Sequence, residues 1–157
     1  MRRRLLICIA AVVLAAGVGS AAVLIHATSA SGGVGPRSAT NARAFVGYWM
    51  GIDPLDGGDS RRGITPNGDG TFSVIGRDTV FTLCDGTDRA VITFDDAAII
   101  GSALVTDNAL LTCTNGGSTL SLKVRFDVVG RNIVRETVTT QSGEPVDQIM
   151  FHRVSES

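Results

Sequence analysis

From Phe45 to Val154 short apolar runs alternate with turn residues, and within the runs apolar and polar positions alternate with a period of two. Thr119 to Asp127 shows it best. Leu120, Leu122, Val124 and Phe126 fall on one face, and Ser121, Lys123, Arg125 and Asp127 on the other. Such a pattern predicts a half-buried antiparallel strand. Further strands are predicted in Phe45–Ile52, Thr71–Ile75, Thr79–Cys84, Ala90–Phe94, Ile99–Val105, Ala109–Thr114, Asn132–Thr139 and Gln148–Val154. Asn67-Gly68-Asp69-Gly70, Asp85-Gly86, Asp107-Asn108, Asn115-Gly116-Gly117 and Ser142-Gly143 punctuate them with residues that tolerate positive φ in tight hairpins. No segment after residue 43 carries a 3.6-residue stripe long enough for a helix. The expected class is all-β, an antiparallel up-and-down meander of about 8–10 strands, with a closed barrel favoured over a sandwich because closure removes exposed edges.

Before the strands the pattern changes twice. Met1-Arg2-Arg3-Arg4 is a cationic flank, and Leu5 to Ala27 follows as a charge-free apolar run. Positive residues stay cytoplasmic, so the remainder of the chain is expected to be exported. Leu5 to Ile25 is long enough to span a bilayer, whereas Thr28-Ser29-Ala30 offers the small residues of a cleavage site. Residues 1–27 therefore read as a signal peptide or a signal anchor. Residues 28–43 are rich in Gly, Ser and Ala and read as a flexible linker. Residues 44–157 form the folded domain.

Charge narrows the partners. From Ala44 onward nine basic residues face fifteen acidic ones, a net of −6. Such a domain is repelled by phosphate backbones and anionic headgroups, which argues against nucleic acid and leaves membrane contact to the N-terminal helix alone. Two cysteines follow the linker, Cys84 and Cys113. In an oxidising compartment an isolated pair most simply forms a disulfide. A closed loop of about 30 residues is worth roughly 3–4 kcal/mol in the chain-entropy model.

Gly47-Tyr48-Trp49 on the first strand resembles the G-x-W signature of lipocalins and their avidin-like relatives in the calycin group. The resemblance implies a closed barrel in which Trp49 plugs one end and an arginine from the last strand packs across it. Arg153, in Phe151-His152-Arg153-Val154, is placed for that part. Gly47, Trp49 and Arg153 thus carry over as structural residues. The longer pattern G-x-W…D-x-x-D-G-G…D-G-T-F…F-H-R-V also looks like small exported bacterial proteins without an assigned activity.

Candidate chemistry is sparse. Gly58-Asp59-Ser60 has the letters of an esterase nucleophile motif, but without the α/β context or the D-x-x-H partner it reads as a polar loop. Asp53, Asp56 and Asp59 in one loop have the composition of a weak Ca²⁺ site, against a plainer reading in which short side chains satisfy their own backbone. His152 is the one histidine after the N-terminal segment, and nothing in the sequence supplies its partners. No catalytic residue, metal site or cofactor is assigned. Arg135 and Glu136 are adjacent, so one of them must face the barrel interior, where a charge has to be paired or wet. That residue, with Tyr48, is the expected polar anchor of any ligand pocket. The favoured function is an exported binding module for a small apolar or amphipathic ligand, which requires an apolar cavity. The alternative is a non-catalytic envelope domain contacting another protein, with a filled core and an exposed apolar patch.

Overall fold

The computed structural model describes residues 36–84 and 89–156. The apolar N-terminal segment and Asp85-Gly86 lie outside the described residues, and no helix among these is long and apolar enough to cross a membrane.

Helix α1 (Pro36–Phe45) precedes eight strands: β1 (Gly47–Ile52), β2 (Asp59–Pro66), β3 (Phe72–Asp78), β4 (Ala90–Ile100), β5 (Ala103–Cys113), β6 (Thr119–Gly130), β7 (Ile133–Thr140) and β8 (Pro145–Ser155). Each strand pairs antiparallel with the next, and β8 returns to β1, giving a closed barrel. The closing register sets Trp49 opposite Arg153, Met50 opposite His152 and Gly51 opposite Phe151. Architecture and strand order agree with the calycin-like barrel that the G-x-W resemblance implies.

The pleat sends alternate side chains inward. On β6 these are Leu122, Val124 and Phe126; across the barrel they meet Trp49, Ile64, Val74, Ile92, Leu111, Val134, Ile149 and Phe151, all buried in one cluster. Full burial of a large apolar side chain is worth about 1.5–3 kcal/mol, so the interior carries most of the stability.

Several elements depart from the expected strands. The stretch Asp59–Pro66 is β2; it is not among the predicted strands because two of its inward positions, Ser60 and Arg62, are polar and only Ile64 is apolar. Asp107-Asn108 is not a turn: it lies in a bulge of β5, where register slips between Thr106 and Ala109. Asp96, in the irregular part of β4, accepts hydrogen bonds from Thr106 Oγ1 at 2.6 Å and Asn108 Nδ2 at 2.7 Å, tying the two irregularities together. The turn between β4 and β5 is at Gly101, with φ of 65°. Thr79–Cys84 is not a strand. It is a crossing segment ending in a 3-10 turn, Thr82–Cys84, and it is apolar because Phe81 and Cys84 plug one barrel end. Cys84 is bonded to Cys113, with Cα atoms 5.5 Å apart, which pins that plug to β5. Helix α1 occupies residues 36–45, covering the end of the stretch read as a linker (28–43) and the first two residues of the domain. Its first residue is Pro36, whose fixed φ suits that position, and its last, Phe45, is fully buried in the core cluster.

Candidate functional site

The end of the barrel next to α1 is sealed. Trp49 Nε1 donates to Phe45 O at 2.7 Å, and the Arg153 guanidinium lies 4.5 Å from the Trp49 ring centroid. The same guanidinium donates to Val46 O and Ala44 O at 2.7 Å and to Arg43 O at 3.2 Å. Ala44 and Arg43 belong to the last turn of α1, whose carbonyls have no partner within the helix, and a cation there is doubly favourable. Gly47 takes φ of 130°, and a Cβ there would stand 2.6 Å from Ser155 O. Glycine at 47, Trp49 and Arg153 therefore close the barrel floor, and none lines an interior ligand cavity.

The middle of the barrel holds a buried ion cluster. Arg62 Nη1 meets Asp78 Oδ1 at 2.7 Å, and Nη2 meets Asp78 Oδ2 at 3.3 Å. Nε and Nη2 donate to Glu136 Oε1 and Oε2 at 2.9 and 2.8 Å, and Nη1 also reaches Arg61 O at 2.9 Å. All five N–H donors are engaged, and the guanidinium rests 5.0 Å from the Phe151 ring centroid. Gly76 makes the space, since a Cβ there would come within 2.7 Å of Arg62 Cδ and 2.3 Å of Ile92. Burial opposes the Arg62 charge, but Glu136 and Asp78 outweigh it and hold the group above its ordinary pKa. Burial likewise pushes the Glu136 carboxyl up, against the pull of Arg62. Arg62 has no accessible neutral form, so the two-point contact keeps Glu136 ionised.

The opposite end is acidic. Asp53 and Asp147 are buried there beneath Phe81, and with Leu55, Leu83, Val146 and Pro145 they line a cavity of about 270 Å³. Asp53 Oδ1 accepts from Leu55 N and Asp56 Oδ1 from Gly58 N, both at 2.7 Å, so these loop carboxylates serve their own backbone. Asp147 Oδ1 accepts from Gln148 N, while its buried Oδ2 has no hydrogen-bond partner among the described residues. Burial, reinforced by the charges of Asp53, Glu136 and Asp78, pushes the Asp147 carboxyl up to about 7. Among the described residues no three metal-ligating side chains are grouped to hold an ion.

The outer wall carries an apolar depression of about 540 Å³, crossing β8, β1, β2 and β3. Tyr48, Met50, Ile75 and Val154 line it, at 56, 40, 61 and 61 % exposure. Its floor is Gly63, over which the Tyr48 ring lies, so that an added Cβ would be 3.3 Å from Tyr48 Cε1. At its edge Arg61 and Arg77 are direct cross-strand partners. Neither forms an ion pair among the described residues.

Comparison with protein-family models, curated proteins and solved structures finds no match. The calycin likeness accordingly stands on the architecture and on the Trp49–Arg153 contact. The residues expected to anchor a ligand are not brought together. Glu136 is the inward member of its pair, with both oxygens committed to Arg62. Arg135 points outward, 3.6 Å from Asp127. Tyr48 faces outward too, into the groove. Ser60 is buried inside the wall and His152 is exposed outside it, so the wall itself separates this serine from this imidazole. The residues that sequence reasoning missed are Arg61, Arg77 and Asp147. Only the register of β2 against β3, and the inward turn of β8, reveal them.

Proposed function

We propose that this protein is a non-catalytic recognition domain, carried outside the cytoplasmic membrane, whose outer groove docks an apolar segment of a partner protein bearing carboxylates. The observation behind this is the Arg61–Arg77 pair beside exposed Tyr48, Met50, Ile75 and Val154. Like charges directly opposite on neighbouring strands cost stability, and apolar side chains at this exposure gain from cover. A carboxylate from a partner would offset the first cost while its apolar neighbours cover the groove. In a domain of net charge −6 this face is a local positive field, which favours an acidic partner and orients it. Export is supported by the arginine-flanked apolar N-terminus and by the cysteine pair. A calyx-type carrier is less well supported, because the inward positions that would line such a calyx are filled by Trp49, Arg62, Ile64, Phe126 and Phe151.

The test is recovery of the full chain from its host under native conditions, as wild type and as the doubly charge-reversed Arg61→Glu/Arg77→Glu variant. A stoichiometric protein partner held by the wild type and lost from the variant supports the reading. A partner retained equally by both contradicts it.

A further inference from the structure

The acidic mouth is a separate feature from the outer groove, and docking at that groove leaves it unexplained. Two buried carboxylates line it, Asp53 after β1 and Asp147 on β8, and Asp78 on β3 and Glu136 on β7, in the central ion cluster, add their charges to the field at Asp147. The cation facing them is Arg62 on β2, and its five donors are consumed by Asp78, Glu136 and the Arg61 carbonyl. Asp147 and Asp53 receive none of them. Asp147 is only 8 % exposed, and among the described residues its Oδ2 has neither a hydrogen bond nor an ion-pair partner. Burial of a carboxylate oxygen in that condition is costly unless something arrives to meet it.

The cavity beside Asp147 has the complementary second half. Leu55, Phe81, Leu83, Val146 and Pro145 supply apolar and aromatic walls, with Thr140 and Glu144 at the rim. A volume of about 270 Å³ suits a molecule of roughly ten heavy atoms or fewer. Anions are repelled by the surrounding carboxylates. A hard metal ion needs several oxygens converging on one point, and the described residues do not provide that set. An organic cation meets both halves: its charged end pairs with the Asp147 carboxylate that lines the cavity, and its body takes the apolar wall.

The geometry points to the barrel mouth as a binding site for a small organic cation, a primary ammonium on a short apolar or aromatic body, with Asp147 as its counter-charge. Asp53 reinforces the field from the β1 end. Phe81, pinned through the Cys84–Cys113 bond, holds the aromatic wall in place. Such binding weakens as pH falls and the Asp147 carboxyl takes up a proton; the charged groups acting on it are Asp53, Glu136 and Asp78, with Glu144 at the cavity rim.

Benzylammonium is a suitable probe, with benzyl alcohol and benzoate as neutral and anionic controls of the same shape. In amide-resolved NMR titrations of the full chain at pH 8, benzylammonium is expected to shift Leu55, Phe81, Val146 and Asp147. Both controls should bind at least about tenfold more weakly. Asp147→Asn should reduce benzylammonium affinity by a similar factor, and lowering the pH to 5.5 should weaken the wild type. Asp147→Asn removes an unpaired buried charge, so it should fold, and its melting curve verifies that. Equal affinity for benzyl alcohol, or unchanged benzylammonium affinity in folded Asp147→Asn, would overturn the assignment. Neither result bears on the outer groove, whose Tyr48 and Ile75 signals should stay in place throughout.

Discussion

Arg61 and Arg77 stand directly opposite each other on β2 and β3, on the outside of the barrel wall, with no carboxylate paired to either among the described residues. Next to Arg61 in sequence, Arg62 points inward and engages every one of its donors. One dipeptide thus divides into a structural cation and an unsatisfied one.

Replacing one member of the outer pair should relieve repulsion. Arg61→Glu, which sets a carboxylate opposite Arg77, is expected to raise stability by about 0.2–1 kcal/mol in urea unfolding at low salt. The same change should weaken partner binding. Loss of stability together with retained binding would mean that Arg61 is there for the fold.

The inner cluster should behave oppositely. Glu136→Ala leaves a buried guanidinium short of two acceptors, and the expected cost is about 3–5 kcal/mol in urea unfolding. Replacing Arg62, Asp78 and Glu136 together with Met, Leu and Leu should recover much of that loss, since the apolar set carries no desolvation cost. A triple variant as unstable as Glu136→Ala would show that the cluster is needed as a unit.

These two arginines also mark where the sequence stops being readable. β6 is legible because Leu122, Val124 and Phe126 alternate with Lys123 and Arg125, so burial and hydropathy agree. β2 is not, because Ser60 and Arg62 occupy inward positions that hydropathy assigns to solvent, and the partners of Arg62 lie 16 and 74 residues away. Thr79–Cys84 misleads in the other direction, being apolar as a plug and not as a strand. Glu136 or Arg135 had to face inward by parity, and Glu136 does. What parity does not give is that Arg62 already holds it. The groove was hidden for a similar reason, since its arginines meet only through the register of two hairpin strands.

Asp147 gives a pH signature. Its folded pKa is raised, to about 7 against an ordinary 3.8, so the folded state holds a proton that the unfolded chain releases. The stabilisation is therefore fully present below about pH 4 and is lost as pH rises toward 7. Urea midpoints should fall between pH 4.5 and 8, by an amount equivalent to about a few kcal/mol. Asp147→Asn should flatten that slope and exceed the wild type in stability at pH 8. Asp69, Asp96 and Asp127 have lowered pKa values and act below this window, so they do not obscure it. An unchanged slope in Asp147→Asn would assign the effect to another group, with Glu136 the first to examine.

Site-specific photo-crosslinking in the living host tests the recognition account most directly. A benzophenone side chain at Met50 or Ile75, inside the groove, is compared with one at Lys123 on the distant outer face of β6. The account predicts one discrete product with a different protein from Met50 and Ile75, none from Lys123, and loss of that product in an Arg61→Glu/Arg77→Glu background. A product with a second copy of this chain, a product with lipid alone, or identical products from all three positions would contradict it.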